Sequence, residues 1–241
     1  MFNRVLIKLS GEALGTSSRG FNDQIILDIS KQIKKLLEKK TEIGLVVGGG
    51  NFFRGRSANL KDETIADNIG MLATVMNALY LSDVFKSIGI KCRIMTPFLV
   101  GSMTKLFNKA CALRILKKKE VAIFAGGLGH PFFSTDTIAA LRARELNCDA
   151  ILYAKNINGI YDGDPNINKN AKKFKTISYY DIVKKNLGVI DVAAAHISQN
   201  ITSIVFNINS KNIMEKVCNE SEDIFEFATL VKNEVNTEYY D

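Results

Sequence analysis

Short apolar runs alternate with amphipathic stretches along the whole chain. Val5–Leu9, Ile43–Val47, Cys92–Met95, Val121–Ala125, Ala150–Ala154, Ser203–Asn207 and Ala228–Val231 are four or five residues long. They are near-continuous in hydrophobicity rather than alternating, which predicts strands of a parallel sheet buried on both faces. Between them, apolar residues at helical spacing predict helices. The first covers Gln24–Glu38, with Ile26, Ile29, Ile33 and Leu36 in phase and Asn22 or Asp23 as its cap. The longest covers Ile65–Ser87, with Ile65, Ile69, Leu72, Met76 and Leu79 on one stripe. Others are expected over Lys105–Lys118, Thr137–Leu146, Tyr179–Asn186, Asp191–Gln199 and Asn212–Cys218. Ser178 and Asp181 form a capping-box pattern, and Gly188 suits the position after a helix end. No composition break marks a linker and no repeat recurs at a fixed period. The expectation is one three-layer α/β/α sandwich around a central, mostly parallel sheet, spanning residues 1–241.

Composition narrows the class. The chain has 241 residues, 46% hydrophobic and 24% charged, which is ordinary for a soluble globular protein and argues against disorder. The net charge of +7 raises the question of a polyanion partner. The lysines are scattered, however, from Lys31, Lys34 and Lys35 to Lys117–Lys119 and to Lys172, Lys173 and Lys175. No basic stripe is interleaved with aromatics, so nucleic-acid binding is not the expected function. Cys92, Cys111, Cys148 and Cys218 stand far apart in apolar surroundings, without a C-x-x-C pair. That pattern points to buried thiols in a reducing cytoplasm rather than to zinc or redox chemistry. No apolar run reaches the ~18 residues of a membrane span, and MFNRVLIKLSGEAL lacks the pattern of a signal peptide.

Candidate chemistry gathers in three loops that follow strands: Ser10–Gly11, Gly48–Asn51 and Gly126–Asp136. The last lies in FAGGLGHPFFSTD, a strand feeding a glycine-rich loop feeding a helix. Such a turn either serves only to reverse the chain or exposes backbone N–H groups and a helix N-terminus to an anion. In an open parallel sheet, loops at the carboxyl ends of strands face one edge, where ligands bind. Three of them together suit an extended polyanion site. The familiar nucleotide signatures are missing: there is no G-x-x-x-x-G-K-[ST] and no complete G-x-G-x-x-G. With His130 and His196 the only histidines, a histidine triad or histidine metal site is poorly supported. What remains are charges at element ends. Lys8 either ends its strand or is poised in a site. Arg54, taken alone, reads as a solvated charge. Asp136 and Asp191 stand at helix starts, where capping explains most such residues. Asp164 precedes Pro165 in a turn-rich stretch, NGIYDGDP. Together, one lysine, one arginine, two aspartates and three glycine loops suit phosphoryl transfer, which needs positioning and charge neutralisation more than covalent machinery.

Six motifs in order also carry a resemblance. KLSGE from Lys8, VVGGGNFFR from Val46, DNIGMLAT from Asp67, the loop Phe124–Asp136, GIYDGDP from Gly159 and DVAA from Asp191 resemble the bacterial uridylate kinases of the amino acid kinase superfamily. The match spans nearly the whole chain in register. It implies transfer of the ATP γ-phosphoryl group to UMP, with Mg2+ held mainly by the nucleotide phosphates and usually in a homohexamer. By position, Lys8, Leu9, Ser10, Gly11, Gly50 and Arg54 would meet ATP phosphates. Lys155 or Asn156, with Tyr161 and Asp164, would line the adenosine side. Gly49, Asp67 and the loop residues Leu128, Gly129, His130, Pro131, Phe132, Phe133, Ser134 and Thr135 would meet UMP. Asp136 and Asp191 would orient Lys8 and the metal-bound phosphates. Members of the family are often activated by GTP, and Lys86 and Arg93 match that region in part. Three residues depart from the family pattern: Leu128 where Thr is usual, His130 where Asn is usual, and Asn158 where Asp is common. Two other readings compete: a superfamily kinase acting on a carboxylate or carbamate, and a nucleotide-sensing regulator with reduced catalysis.

Overall fold

The first strand, β1 (Arg4–Leu9), sits at the middle of the sheet because both its faces are apolar. Val5, Ile7 and Leu9 enter one buried cluster and Leu6 the other. The computed structural model describes residues 1–15, 20–53, 61–219 and 222–240. Among these, β2 (Glu42–Val47), β3 (Cys92–Thr96), β4 (Lys105–Leu106), β5 (Val121–Phe124), β6 (Ala150–Lys155), β7 (Phe174–Ile177), β8 (Thr202–Asn207), β9 (Ala228–Val231) and β10 (Glu238–Tyr239) complete one sheet. Its order is β10-β7-β9-β8-β6-β1-β2-β5-β3-β4. From β8 to β4 every neighbouring pair is parallel; β9 runs antiparallel to β8, and β10 to β7.

Two helical layers cover the sheet. One holds α2 (Asp23–Glu38), α3 (Glu63–Ser87) and α8 (Ile213–Cys218), which bury Ile26, Ile33, Ala78, Phe85 and Val217 against one face. The other holds α4 (Lys109–Lys117), α5 (Thr135–Glu145), α6 (Tyr179–Lys184) and α7 (Val192–Ile197), with Leu116, Ala139, Ile182 and Ala194 against the opposite face. A four-residue helix α1 (Gly11–Leu14) leaves β1 directly. The three-layer sandwich around a mostly parallel sheet is as expected.

Several boundaries differ for local reasons. The segment read as one helix from Lys105 splits, because Lys105–Leu106 pairs as β4 with the end of β3 and Asn108 then caps α4 through Cys111 N–H. Strand β10 is the sheet's edge and only two residues long, and β7 beside it carries Lys175 and Thr176, so neither registers as an apolar run. Ser178 caps α6 as its pattern implied, but Asn186 rather than Gly188 takes the left-handed position past the helix, at φ +52°. The largest difference concerns α3. Most of its apolar stripe points outward: Ile65, Ile69, Leu72 and Met76 are 38–50% exposed, and only Leu79 packs against the core. The inward face carries Ala66, Ala73, Thr74, Asn77 and Ala78 instead. The backbone of the Gly48–Gly50 loop lies directly on that face, where a Cβ on Gly49 would meet the Ala73 Cβ at 2.9 Å. Only small side chains fit under a backbone that close.

Candidate active site

The chain leaves β1 toward β2 on one side and returns as β6 on the other, so the carboxyl ends of β6, β1, β2 and β5 stand side by side. Their loops meet at that switch point, the usual ligand edge of an open parallel sheet. Ser10 caps α1 through Ala13 N–H at 3.3 Å. Gly11 lies so close to the second loop that a Cβ there would be 2.3 Å from Gly50 N. The Gly48 N–H donates to the Leu9 carbonyl at 2.8 Å and ties the β2 loop to the end of β1. The β5 loop runs from Gly126 to Ser134, whose hydroxyl caps α5 by accepting from the N–H groups of Asp136 and Thr137 at 3.0 and 3.2 Å.

Asp136 therefore sits inside the first turn of α5, not at its cap, and points down at the sheet. Lys8, Tyr153 and Lys155 rise toward it, since Lys8 pairs with Tyr153 in register and Lys155 is two residues further along the same face of β6. The Lys8 Nζ is 2.8 Å from Asp136 Oδ1, and the Lys155 Nζ is 3.0 Å from Asp136 Oδ2. Lys155 also donates to the Val189 carbonyl. Burial by itself would raise the Asp136 carboxyl, but the two ammonium groups outweigh it and hold it at about 2. Burial pulls the Lys155 ammonium below its ordinary value, against the opposing pull of Asp136. Beneath them the Tyr153 phenol, fully buried, is pushed well above its ordinary range and stays neutral. Two cations gathered on one carboxylate at a glycine-loop edge present a net positive centre to any polyanion held there.

Beside this centre the β5 loop and α3 enclose a cavity of about 150 Å3, lined by Gly49, Phe53, Asp67, Gly70, Met71, Thr74, Gly127, His130, Phe133, Thr135 and Ile138. Asp67 Oδ2 accepts from Phe132 N–H at 2.6 Å, which pins the loop where Phe132 turns to φ +69°. Two larger clefts, of about 500 and 530 Å3, lie at Lys31, Lys35 and Lys211 and at Tyr180, Val183 and His196. Neither includes a glycine loop or the Lys8–Asp136 pair, so chemistry rather than size selects the smaller one.

The expected site residues fall into groups. Lys8, Leu9, Ser10, Gly11, Gly49 and Gly50 come together with Asp136. Asp67, His130, Phe133 and Thr135 meet at the cavity. Leu128 packs instead on the core under the loop, and Phe132 is 69% exposed at its tip. Gly129 and Pro131 belong to the loop between them. The hydrogen bonds of Asp191 run to the starts of α5 and α7 rather than to Lys8. Asp191 caps α7 through Ala194 N–H at 2.8 Å and accepts from Thr137 Oγ1 at 3.0 Å and from Ser134 Oγ, clasping α7 to the start of α5. Lys155 turns inward to the centre and away from Asn156, which is exposed near Asn209. Tyr161 is half-buried across from Lys173, and Asp164 caps its own turn through Asn166 N–H at 2.8 Å. Asn158 accepts from the Asn207 amide at 2.7 Å, an exchange that needs no charge at that position. Arg54 lies outside the described residues. Met71, Thr74 and Thr137 had no assigned role. The helical spacing of Asp67, Met71 and Thr74 was the available signal for the first two. Among the described residues no three His, Cys, Asp or Glu side chains form a metal-binding group, and no helix is long and apolar enough to cross a membrane.

Known proteins are similar to this chain over most of its length. The family model for the amino acid kinase family matches residues 3–207. A curated uridylate kinase from Limosilactobacillus reuteri is 46% identical over 223 residues, covering 90% of this chain and 93% of the relative. The crystal structure of UMP kinase from Bacillus anthracis superposes with a TM-score of 0.93 at 34% identity, over 100% of this chain and 99% of that one. UMP kinase from Ureaplasma parvum gives 0.87 at 32% identity, over 96% and 99%.

Proposed function

The chain belongs to the amino acid kinase family, and on that premise we propose that it is a UMP kinase, transferring the γ-phosphoryl group of ATP to UMP to give UDP and ADP. The observation that carries the reading is the Lys8–Asp136–Lys155 cluster, set between glycine loops on one side and a nucleotide-facing cavity on the other. The ATP phosphates lie over Ser10–Gly11 and Gly50, and UMP occupies the cavity at Gly49, Asp67, His130 and Phe133.

A phosphate acceptor is largely ionised at neutral pH, so no general base is needed. The task is to hold two anions together while charge shifts onto the transferring group. Lys8 and Lys155 supply the neutralising charge; Asp136 holds both ammonium groups in place. Asp191 acts on the same centre indirectly, by fixing the α5 start that carries Asp136. Bound to the ATP phosphates, Mg2+ would offset part of their charge. Two lysines already engage Asp136, so the donor set here suits a metal held by the nucleotide rather than by a protein cage.

The exposed Ile65, Ile69, Leu72 and Met76 stripe on α3 supports self-association, with the homohexamer of the family resemblance as the expected form. GTP activation through Lys86 and Arg93 belongs to the same resemblance. Four unpaired cysteines, three of them buried, support a cytoplasmic location, where UDP would feed pyrimidine nucleotide synthesis. The unbroken ten-stranded sheet supports reading the chain as one domain. The intact Lys8–Asp136 pair favours an enzyme over a regulator with reduced catalysis. The test is product analysis with ATP and UMP, CMP and dTMP as competing acceptors. UDP should dominate; a product mixture without UDP would overturn the assignment.

A further inference from the structure

The donor and acceptor loops are held at one separation by α3, which also forms one wall of the cavity. Thr74 and Asn77 stand one turn apart on the inward face of α3, 3% and 0% exposed. The Thr74 hydroxyl donates to the Met71 carbonyl at 2.7 Å and accepts from Gly126 N–H at 2.7 Å. Its one proton is committed to α3, so its acceptor face is aimed at the first residue of the acceptor loop, where φ is +77°. Asn77 Nδ2 donates to the Gly48 carbonyl at 2.6 Å and to Asn51 Oδ1 at 2.7 Å. Asn51 Nδ2 returns a bond to Asn77 Oδ1 at 2.9 Å. Asn51 in turn backs the first phosphate loop, with its Oδ1 2.9 Å from where a Cβ on Gly11 would lie. One rigid helix thus grips the acceptor loop through a hydroxyl and both donor-side loops through an amide pair.

We infer that α3 is the spacer that sets donor and acceptor at reacting distance, with Thr74 positioning the acceptor loop and Asn77, through Asn51, positioning the phosphate loops. The inference rests on the UMP kinase reading above. Losing one buried bond of this kind leaves a polar group unpaired, which is felt at the loop it held. Thr74→Val keeps the shape and removes the acceptor for Gly126 N–H; Thr74→Ser keeps the acceptor. In steady-state assays with MgATP and UMP, Thr74→Val should raise KM for UMP about tenfold and leave KM for ATP within about twofold. Thr74→Ser should restore wild-type values. Asn77→Leu should show the converse split, raising KM for ATP and lowering kcat by roughly tenfold while UMP binding by calorimetry holds. Thr74→Ala carries the same expectation as the valine variant should that one not fold. A Thr74→Val enzyme with unchanged KM for UMP, or with both KM values raised alike, refutes the spacer. Wild-type protein without UMP-dependent ADP release would instead refute the UMP reading itself.

Discussion

Asp136→Asn tests the centre of the site quantitatively. In the wild-type chain the carboxylate lies 2.8 Å from the Lys8 Nζ and 3.0 Å from the Lys155 Nζ, and the residue is 9% exposed. Burial favours the neutral acid, yet the two ammonium groups hold the carboxyl at about 2, against an ordinary 3.8. A depression of that size corresponds to roughly 2 kcal/mol of stability at neutral pH. Removing one partner from a fully buried ion pair costs more in general, about 3–5 kcal/mol. Here the lysine side chains keep 8% and 18% exposure and can relax partly toward solvent, which favours the smaller figure. The expected loss is about 2–3 kcal/mol, or roughly 5–10 °C in Tm for a chain of this size. The pH dependence has a definite sign. A depressed carboxyl pKa stabilises the fold fully above the ordinary 3.8, and that contribution is lost as pH falls through about 2. Urea melts of both proteins at pH 7, 5, 4 and 3 would read it. The gap should hold from pH 7 to 5 and shrink to roughly half by pH 3. A gap under about 0.5 kcal/mol at pH 7, or one that does not narrow on acidification, refutes the proposed charge balance.

Three further substitutions probe separate parts of the site. Lys8→Ala should lower kcat on the order of 10²–10³, checked by coupled ADP release, and should also lower the Tm of the nucleotide-free protein, because buried Asp136 keeps only Lys155 as its partner. Gly11→Ala puts a Cβ 2.3 Å from Gly50 N, a backbone neighbour that cannot turn aside. It should weaken ADP binding at least about tenfold by calorimetry while UMP still binds, because the two phosphate loops are forced apart. Leu72→Glu places a charge in the exposed α3 stripe and should shift the protein toward smaller species in light scattering. An unchanged mass would mean that another face makes the assembly.

The resemblance was legible because its motifs sit where local rules act. A lysine inside an apolar strand, three glycine loops after strands and an Asp at a helix start are all readable without neighbours. The continuous apolar runs likewise announced a sheet buried on both faces, and the structure has one. Asp191 shows where local reading stops. As a helix cap it was identifiable; that its remaining bonds go to Ser134 and Thr137 depends on α5 and α7 meeting, 54 residues apart for Thr137.

By itself, then, the sequence determined the layer architecture, the loops that face the ligand edge and the residue types available there, because hydrophobic periodicity and turn chemistry are local. Tertiary structure alone decided who meets whom. It turned Lys155 onto Asp136, since β6 and β1 lie in register beneath α5. It rotated α3 so that its small polar face grips the glycine loops and most of its apolar stripe faces outward. Helical spacing reports that a stripe exists; what packs closely enough to need small side chains decides which way it points.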